Sequence, residues 1–237
     1  MPCDLLVLMP HPDDAEIALG ATIARHVRLG ARVVVVDATR GELGSRGSAD
    51  ERQREAEAAA RVLGLAAREN LGLRDGHLQA EDLAARALVV DCLRRHRPRV
   101  VLTFCERARH PDHIALSRLV RPAIKAAALH ALPTPSGSPA HTGMRLWLGE
   151  AELRIDPDFL VPATDEDWQR KIAALRCYSS QLHRAGATGP ETTIAGPGFV
   201  DWIEARGRAW GREAGAPYAE AFLAGDDLPR VGDLREA

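Results

Sequence analysis

Two segments of this 237-residue chain carry the residue types of hydrolytic metal chemistry: His11-Pro12-Asp13-Asp14 and His110-Pro111-Asp112-His113. With 9 His, 15 Pro and 17 Asp in the chain, composition alone gives about 0.04 copies of His-Pro-Asp, and there are two. Proline keeps the residue before it extended, so each histidine projects from the end of the preceding segment while Pro and Asp open the next helix. His11 and Asp14 stand three apart and could converge on one ion, with His113 closing the set from the second segment. Two imidazoles and one carboxylate are the ligand type of catalytic zinc sites that keep a position for water. The same donors also accept iron, cobalt or manganese. Asp13 is then left as a free carboxylate base, and His110 as a free imidazole that acts as electrophile or acid. A single His-Pro-Asp is usually only a helix start with an acidic first turn. Two at equivalent positions argue for a site.

The elements around these segments must bring them together. The first half of the chain alternates short β-branched runs with helical patterns, which predicts βαβ units and a doubly wound, mostly parallel α/β sheet with helices on both faces. Strands are expected at 5–9, 32–37, 69–73 and 100–104, and helices at 15–29, 48–63, 81–97 and 114–130. Gly30 and Gly64 are expected to stop their helices, and Ser48 with Glu51 to form a capping box. Both His-Pro-Asp segments then follow buried strands, at the carboxyl ends where such sheets place ligands. A Pro/Gly/Ser-rich loop at 132–143 separates this core, about 1–131, from C-terminal elements at about 144–237 that complete the site within a single domain. Those elements read as strands at 144–148 and 153–155, a helix at 165–183, a loop at 185–198 and a helix at 199–213.

Composition narrows the partners. With 46% hydrophobic and 27% charged residues the chain is globular, and 31 basic against 33 acidic residues leave a net charge of −2, with no field to hold nucleic acid or an anionic membrane. No run approaches the roughly 18 apolar residues of a membrane helix, and residues 1–10 lack a basic stretch before their five apolar residues, unlike a secretory signal. A cytoplasmic protein with a small-molecule partner is expected. Cys3, Cys92, Cys105 and Cys177 show no Cys-x-x-Cys spacing and read as reduced, mostly buried thiols. His26, His77, His96, His130, His141 and His183 lack ligand spacing and read as surface or capping residues.

The chain resembles the LmbE-like family of zinc-dependent N-acetylglucosaminyl deacetylases, which includes the GlcNAc-phosphatidylinositol de-N-acetylases. The resemblance rests on PHPDDAEI (10–17), TRGELGSRG (39–47), Arg52-x-x-Glu55, RENLGLRDG (68–76), RHPDH (109–113), KIAALRCYSSQ (171–181) and YAEAF (218–222). Within the family it is most similar to the deacetylases of bacillithiol biosynthesis, which act on N-acetylglucosaminyl malate. The resemblance implies Zn2+ on His11, Asp14 and His113, Asp13 as general base, and His110 as the group that stabilises the tetrahedral intermediate or protonates the leaving amine. Asp112 is implied as a carboxylate that orients and charges His110. Homo-oligomeric assembly is left open.

A malyl group carries two carboxylates, so rim arginines are expected, Arg52 and Arg109 first. Glu42 could bind sugar hydroxyls, and Ser45 and Arg46 either sugar or aglycone. The chain has Ala108 where the family often has an acidic residue, which leaves Arg109 with one less orienting partner, and Gly20-Ala21 where a Gly-Gly pair is frequent, which should affect only helix packing. The same chemistry on an inositol-linked or chito-oligosaccharide substrate is the alternative. A non-catalytic phosphate- or nucleotide-binding module is the third reading, but GELGSRG lacks the terminal Gly-Lys-Ser/Thr of a phosphate loop and no dinucleotide fingerprint is present.

Overall fold

A computed structural model describes residues 2–183 and 189–225. Five buried or half-buried runs form parallel strands: β1 (Leu5–Met9), β2 (Val33–Thr39), β3 (Ala67–Leu73), β4 (Val100–Phe104) and β5 (Arg145–Gly149). Between them run α1 (Asp14–Arg28), α2 (Ala49–Leu63), α3 (Leu83–His96) and α4 (Pro111–Ala127). Beyond β5 come β6 (Phe159–Ala163), α5 (Asp165–Leu175), α6 (Phe199–Ala214) and β7 (Tyr218–Ala224). The seven strands form one sheet in the order β3-β2-β1-β4-β5-β7-β6, with β7 antiparallel to both its neighbours.

The core explains why the strands read as unbroken apolar runs. Leu6 and Leu8 of β1, with Val34 and Val36 of β2, face residues of α3 and α4, among them Val89, Leu93, Leu116 and Val120. Leu5, Val7 and Met9, with Val33 and Val35, face the other layer against Leu19 and Ile23 of α1 and Ala59 and Leu63 of α2. Both faces are covered, so alternation with polar residues is lost. Each such side chain contributes about 1.5–3 kcal/mol by leaving water.

Helix ends follow local chemistry in the first half. Gly64 takes a left-handed φ of +73° after α2, and Gly30 one of +87° after α1. Ser48 Oγ accepts the Glu51 N–H at 3.1 Å, the hydroxyl half of the expected capping box. Gly20 lies where a Cβ would stand 2.7 Å from Lys171 Cγ, and Ala21 is fully buried, so this pair serves the packing of α1 on α5.

The second half departs from expectation in three places. Residues 153–155 are not a strand; Glu150 folds this segment back by accepting the Ile155 N–H at 3.2 Å. Helix α5 stops at Leu175 rather than 183, because Ser179 and Ser180 leave it to bond Glu55 of α2. β6 and β7 were not expected. β7 reads poorly as a strand because it buries a charge, Glu220, whose carboxylate accepts the Ala21 and Thr22 N–H groups and Lys171 Nζ, the last at 2.6 Å. All four cysteines are free, with Cys3, Cys92 and Cys105 buried and Cys177 half-buried. No helix among the described residues is long and apolar enough to cross a membrane.

Candidate metal centre

The strand order reverses between β1 and β4, and the loops that leave these two strands border the crevice at that switch point. Each loop is a His-Pro-Asp segment. After β4, His110 is the N-cap of α4 in an extended conformation, Pro111 is its first residue, and His110 Nδ1 accepts the Asp112 N–H at 3.2 Å. After β1, Asp13 is the N-cap of α1 with φ 101° and ψ −30°. A buried non-glycine residue in that region costs about 1–3 kcal/mol and persists only where its surroundings hold it. Here they do. Arg52 Nη2 donates to the Pro12 carbonyl and, at 3.0 Å, to Asp13 Oδ2, and Nη1 donates to the Gly41 carbonyl at 3.2 Å. Gly41 accepts this neighbour because it has no side chain: a Cβ would lie 2.0 Å from Arg52 Nη1.

One carboxylate oxygen organises the centre. Asp14 Oδ2 lies 3.1 Å from His11 Nδ1 and 3.4 Å from His113 Nε2. A tetrahedral ion with bonds of about 2.0–2.1 Å spaces its ligand atoms about 3.4 Å apart, which suits both of these N···O distances, and His11, His110 and His113 each bring one nitrogen within 4.8 Å of the others. The other nitrogens face outer carboxylates, and the His11 one hydrogen-bonds Asp112. His11 Nε2 is 3.2 Å from Asp75 Oδ1 and 3.3 Å from Asp112 Oδ2, and His113 Nδ1 is 3.1 Å from Glu152 Oε1. Ligand histidines are oriented in this way. Asp112 is also committed to the Gly76 and Leu78 N–H groups, at 2.8 and 3.2 Å. The His113 ring stacks on Phe104, centroids 4.5 Å apart. His110 stands beside both imidazoles, its ring centroid 4.8 Å from that of His11 and 5.0 Å from that of His113.

Charge follows this geometry. Burial works against the His11 cation, but bonds to Asp112, Asp14 and Asp75 hold it well above the usual imidazole range. Burial likewise opposes charge on His113, and Asp14 and Glu152 carry it up to about 9. Asp14 is penalised by burial, yet His113 and His11 hold it below the usual carboxylate range. Asp13 goes the other way: burial pushes it up, against the pull of Arg52. Burial and the charges of His11 and His113 push His110 down.

The expectation for Asp112 is corrected in part. Its carboxylate hydrogen-bonds His11 and two backbone N–H groups rather than the His110 ring, which meets only the Asp112 backbone N–H, while the Asp112 charge still favours the His110 cation. Arg52 is corrected as well. It is 5% exposed and committed beneath Asp13, so it is not a rim arginine. Arg109 is exposed, with its backbone N–H on Glu152 Oε2 at 3.1 Å. Glu42 is exposed and accepts the Asp75 N–H at 2.8 Å. Ser45 is exposed on the same loop, and Arg46 points away, its Nη1 on the Pro190 carbonyl at 3.3 Å. Two residues of the centre carried no role at the sequence level. Asp75 sits in the RENLGLRDG motif without a role of its own, and Glu152 belongs to no motif. Of the remaining histidines, His96 meets Glu69 at 2.8 Å, where Arg95 already balances the carboxylate at 2.9 Å.

The sequence profile of the family described as PIG-L, GlcNAc-PI de-N-acetylase, matches residues 6–124, which include both His-Pro-Asp loops. The chain belongs to this PIG-L family. Its PIG-L fold is shared with the conserved protein TT1542 from Thermus thermophilus, at a TM-score of 0.85 and 38% identity over 97% of this chain and 98% of that one. Among curated relatives, a 1D-myo-inositol 2-acetamido-2-deoxy-alpha-D-glucopyranoside deacetylase 2 of Saccharopolyspora erythraea is 29% identical, covering 82% of this chain and 89% of the relative. A probable N-acetyl-alpha-D-glucosaminyl L-malate deacetylase 2 of Bacillus anthracis is 26% identical, covering 75% and 81%. PIG-L fold and buried His/Asp cluster together make this chain a metal-dependent hydrolase.

Proposed function

We propose that this chain removes the N-acetyl group from an N-acetylglucosamine conjugate, releasing acetate and a free amine. The observation that carries the reading is Asp14 Oδ2 set between one nitrogen of His11 and one of His113, with the separately held Asp13 next to it in sequence. His11, Asp14 and His113 would hold a divalent ion, zinc by their chemistry, which polarises an acetamide carbonyl and acidifies water. Asp13 takes the proton of the attacking water at a carboxylate oxygen; its burial makes it more basic than an exposed aspartate, and Arg52 keeps it oriented. His110 accepts a backbone N–H at Nδ1, so its neutral ring carries its proton on Nε2. That N–H can hydrogen-bond the developing oxyanion, and the proton that Asp13 takes from water is the one passed on to the leaving amine.

For the aglycone, an inositol-linked glycoside is supported better than malate. The inositol-glycoside deacetylase of Saccharopolyspora erythraea is the more similar of the two relatives. Of the two arginines that a dicarboxylate calls for, Arg52 is spent on Asp13, which leaves Arg109. The test is acetate release by the zinc-loaded protein from GlcNAc-inositol, GlcNAc-malate and diacetylchitobiose. Highest kcat/KM on GlcNAc-inositol is expected. A preference for malate of about tenfold or more, a difference of roughly 1.4 kcal/mol in transition-state stabilisation, would restore that substrate, and release from none of the three would overturn the deacetylase reading.

A further inference from the structure

Helix α2 carries two buried polar side chains one turn apart, Arg52 and Glu55, 5% and 7% exposed. Arg52 holds Asp13 and the Gly41 end of the loop between β2 and α2. That loop borders the metal centre, its Leu43 N–H donating to Asp75 Oδ2 at 2.8 Å. Glu55 reaches the far end of the loop through residues that follow α5. Its Oε1 accepts the Ser180 N–H at 2.7 Å and the Ser179 hydroxyl at 3.1 Å, and its Oε2 accepts the Ser180 hydroxyl at 2.7 Å. Gln181 Nε2 in turn donates to Ser180 Oγ at 2.9 Å and to the Arg46 carbonyl at 2.6 Å. The approach is close: a Cβ on Gly47, whose φ is +70°, would lie 2.6 Å from Ser180 Oγ.

These bonds have a direction. A carboxylate only accepts, so Glu55 fixes the Ser180 hydroxyl as a donor toward it and leaves the lone pairs of that oxygen to Gln181. An amide carries its hydrogens on nitrogen alone, so Gln181 satisfies Ser180 and Arg46 together in one orientation, and the reverse would set its oxygen against the Arg46 carbonyl. We propose that Glu55 is a positioning residue for substrate binding: through Ser180 and Gln181 its carboxylate holds the loop that presents Glu42 and Ser45 to the sugar conjugate. The proposal rests on the deacetylase reading. One helix then places the base through Arg52 and the substrate loop through Glu55.

Two substitutions cut the link at different points. Glu55→Gln can still accept the Ser180 N–H with its oxygen, but its nitrogen then donates to Ser180 Oγ and reverses the hydroxyl. Ser180→Ala removes the hydroxyl and keeps the Ser180 N–H and the Ser179 hydroxyl on Glu55, so a Glu55 that only anchors this turn would tolerate it. Both variants and the wild type, full length and zinc-loaded, are assayed on whichever of GlcNAc-inositol, GlcNAc-malate and diacetylchitobiose the wild type turns over fastest. Tryptic cleavage after Arg46 is followed by mass spectrometry. In each variant KM should rise by roughly 10-fold or more, the worth of a hydrogen bond to a charged group, with kcat little changed. Cleavage after Arg46 should quicken by a similar factor, and the double variant should be no worse than either single one. A variant that keeps wild-type KM or wild-type cleavage overturns the proposal, as does a loss confined to kcat, and in each case the deacetylase reading stands. If the wild type turns over none of the three substrates, that reading falls and the substrate role of Glu55 with it, while cleavage after Arg46 still tests the brace. Should Glu55→Gln fail to fold, Ser180→Ala decides.

Discussion

Arg52 Nη2 lies 3.0 Å from Asp13 Oδ2, with the two side chains 6% and 3% exposed. A cation placed beneath the base opposes the rise that burial causes. The pair therefore sets both the position and the basicity of the group proposed to handle water.

Asp13→Asn keeps the shape and removes the base. Turnover should fall by roughly 10²–10⁴-fold, with metal content unchanged by elemental analysis. Loss of the metal would instead make Asp13 a ligand.

Replacing Arg52 separates its charge from its size. A nearby cation favours the ionised carboxylate, so its removal raises the Asp13 pKa, and the base is lost at higher pH as the solution is acidified. The acid limb of the kcat/KM profile should move up by roughly 1–3 pH units in Arg52→Met. Arg52→Lys retains the cation and should leave the limb close to its original position. Equal limbs in both variants would show that Arg52 only shapes the loop.

The two imidazoles and their outer carboxylates make a graded series. His113→Ala removes one of three proposed ligands and should abolish stoichiometric metal. Glu152→Ala leaves the ligand but frees its Nδ1, which should weaken metal binding by about 10–100-fold in chelator competition. Full metal content in a folded His113→Ala protein would overturn the assignment.

Asp167 closes a capping box with Thr164 at the start of α5 and accepts two bonds from Arg28 of α1, each 2.9 Å. Burial disfavours its charge, but Arg28 and Thr164 hold it down at about 2. A depressed carboxylate pKa means stability that is present above the unfolded value near 3.9 and lost as pH falls through about 2. Asp167→Asn should lower stability by roughly 1 kcal/mol near neutrality. In urea titrations its deficit against the wild type should shrink between about pH 4 and pH 2. A deficit independent of pH would mean that packing, not charge, is what Asp167 supplies.

The parallel half of the sheet was readable because strands such as Leu5–Met9 and the Val33–Val36 part of β2 are covered on both faces and so appear as continuous apolar runs. His11, Asp14 and His113 stand out in the sequence as proposed ligands because the repeated segment joins metal-binding residue types to a place at strand ends. The antiparallel half was not. β6 contains Pro162, β7 hides Glu220 among alanines, and both derive their stability from partners far away in sequence. Asp75 and Glu152 escaped for the same reason: a carboxylate that orients a histidine needs only to reach it in space, so no local spacing marks it. Arg52 was misplaced because an arginine's length lets it lie under a loop as easily as over one.

The insertion of Tyr218–Ala224 between Arg145–Gly149 and Phe159–Ala163 has a consequence for biogenesis. Glu220, which braces the mid-helix N–H groups of Ala21 and Thr22, leaves the ribosome about 200 residues after them. Until then the helix that begins with Asp14 lacks its buried anchor, and the edge of Arg145–Gly149 stays open to pairing with other chains. Both His-Pro-Asp loops are synthesised early, but the scaffold that steadies the first is among the last described parts to be made. A nascent chain arrested before residue 218 carries every proposed ligand and an incomplete sheet, with the edge of Arg145–Gly149 that β7 covers still unpaired.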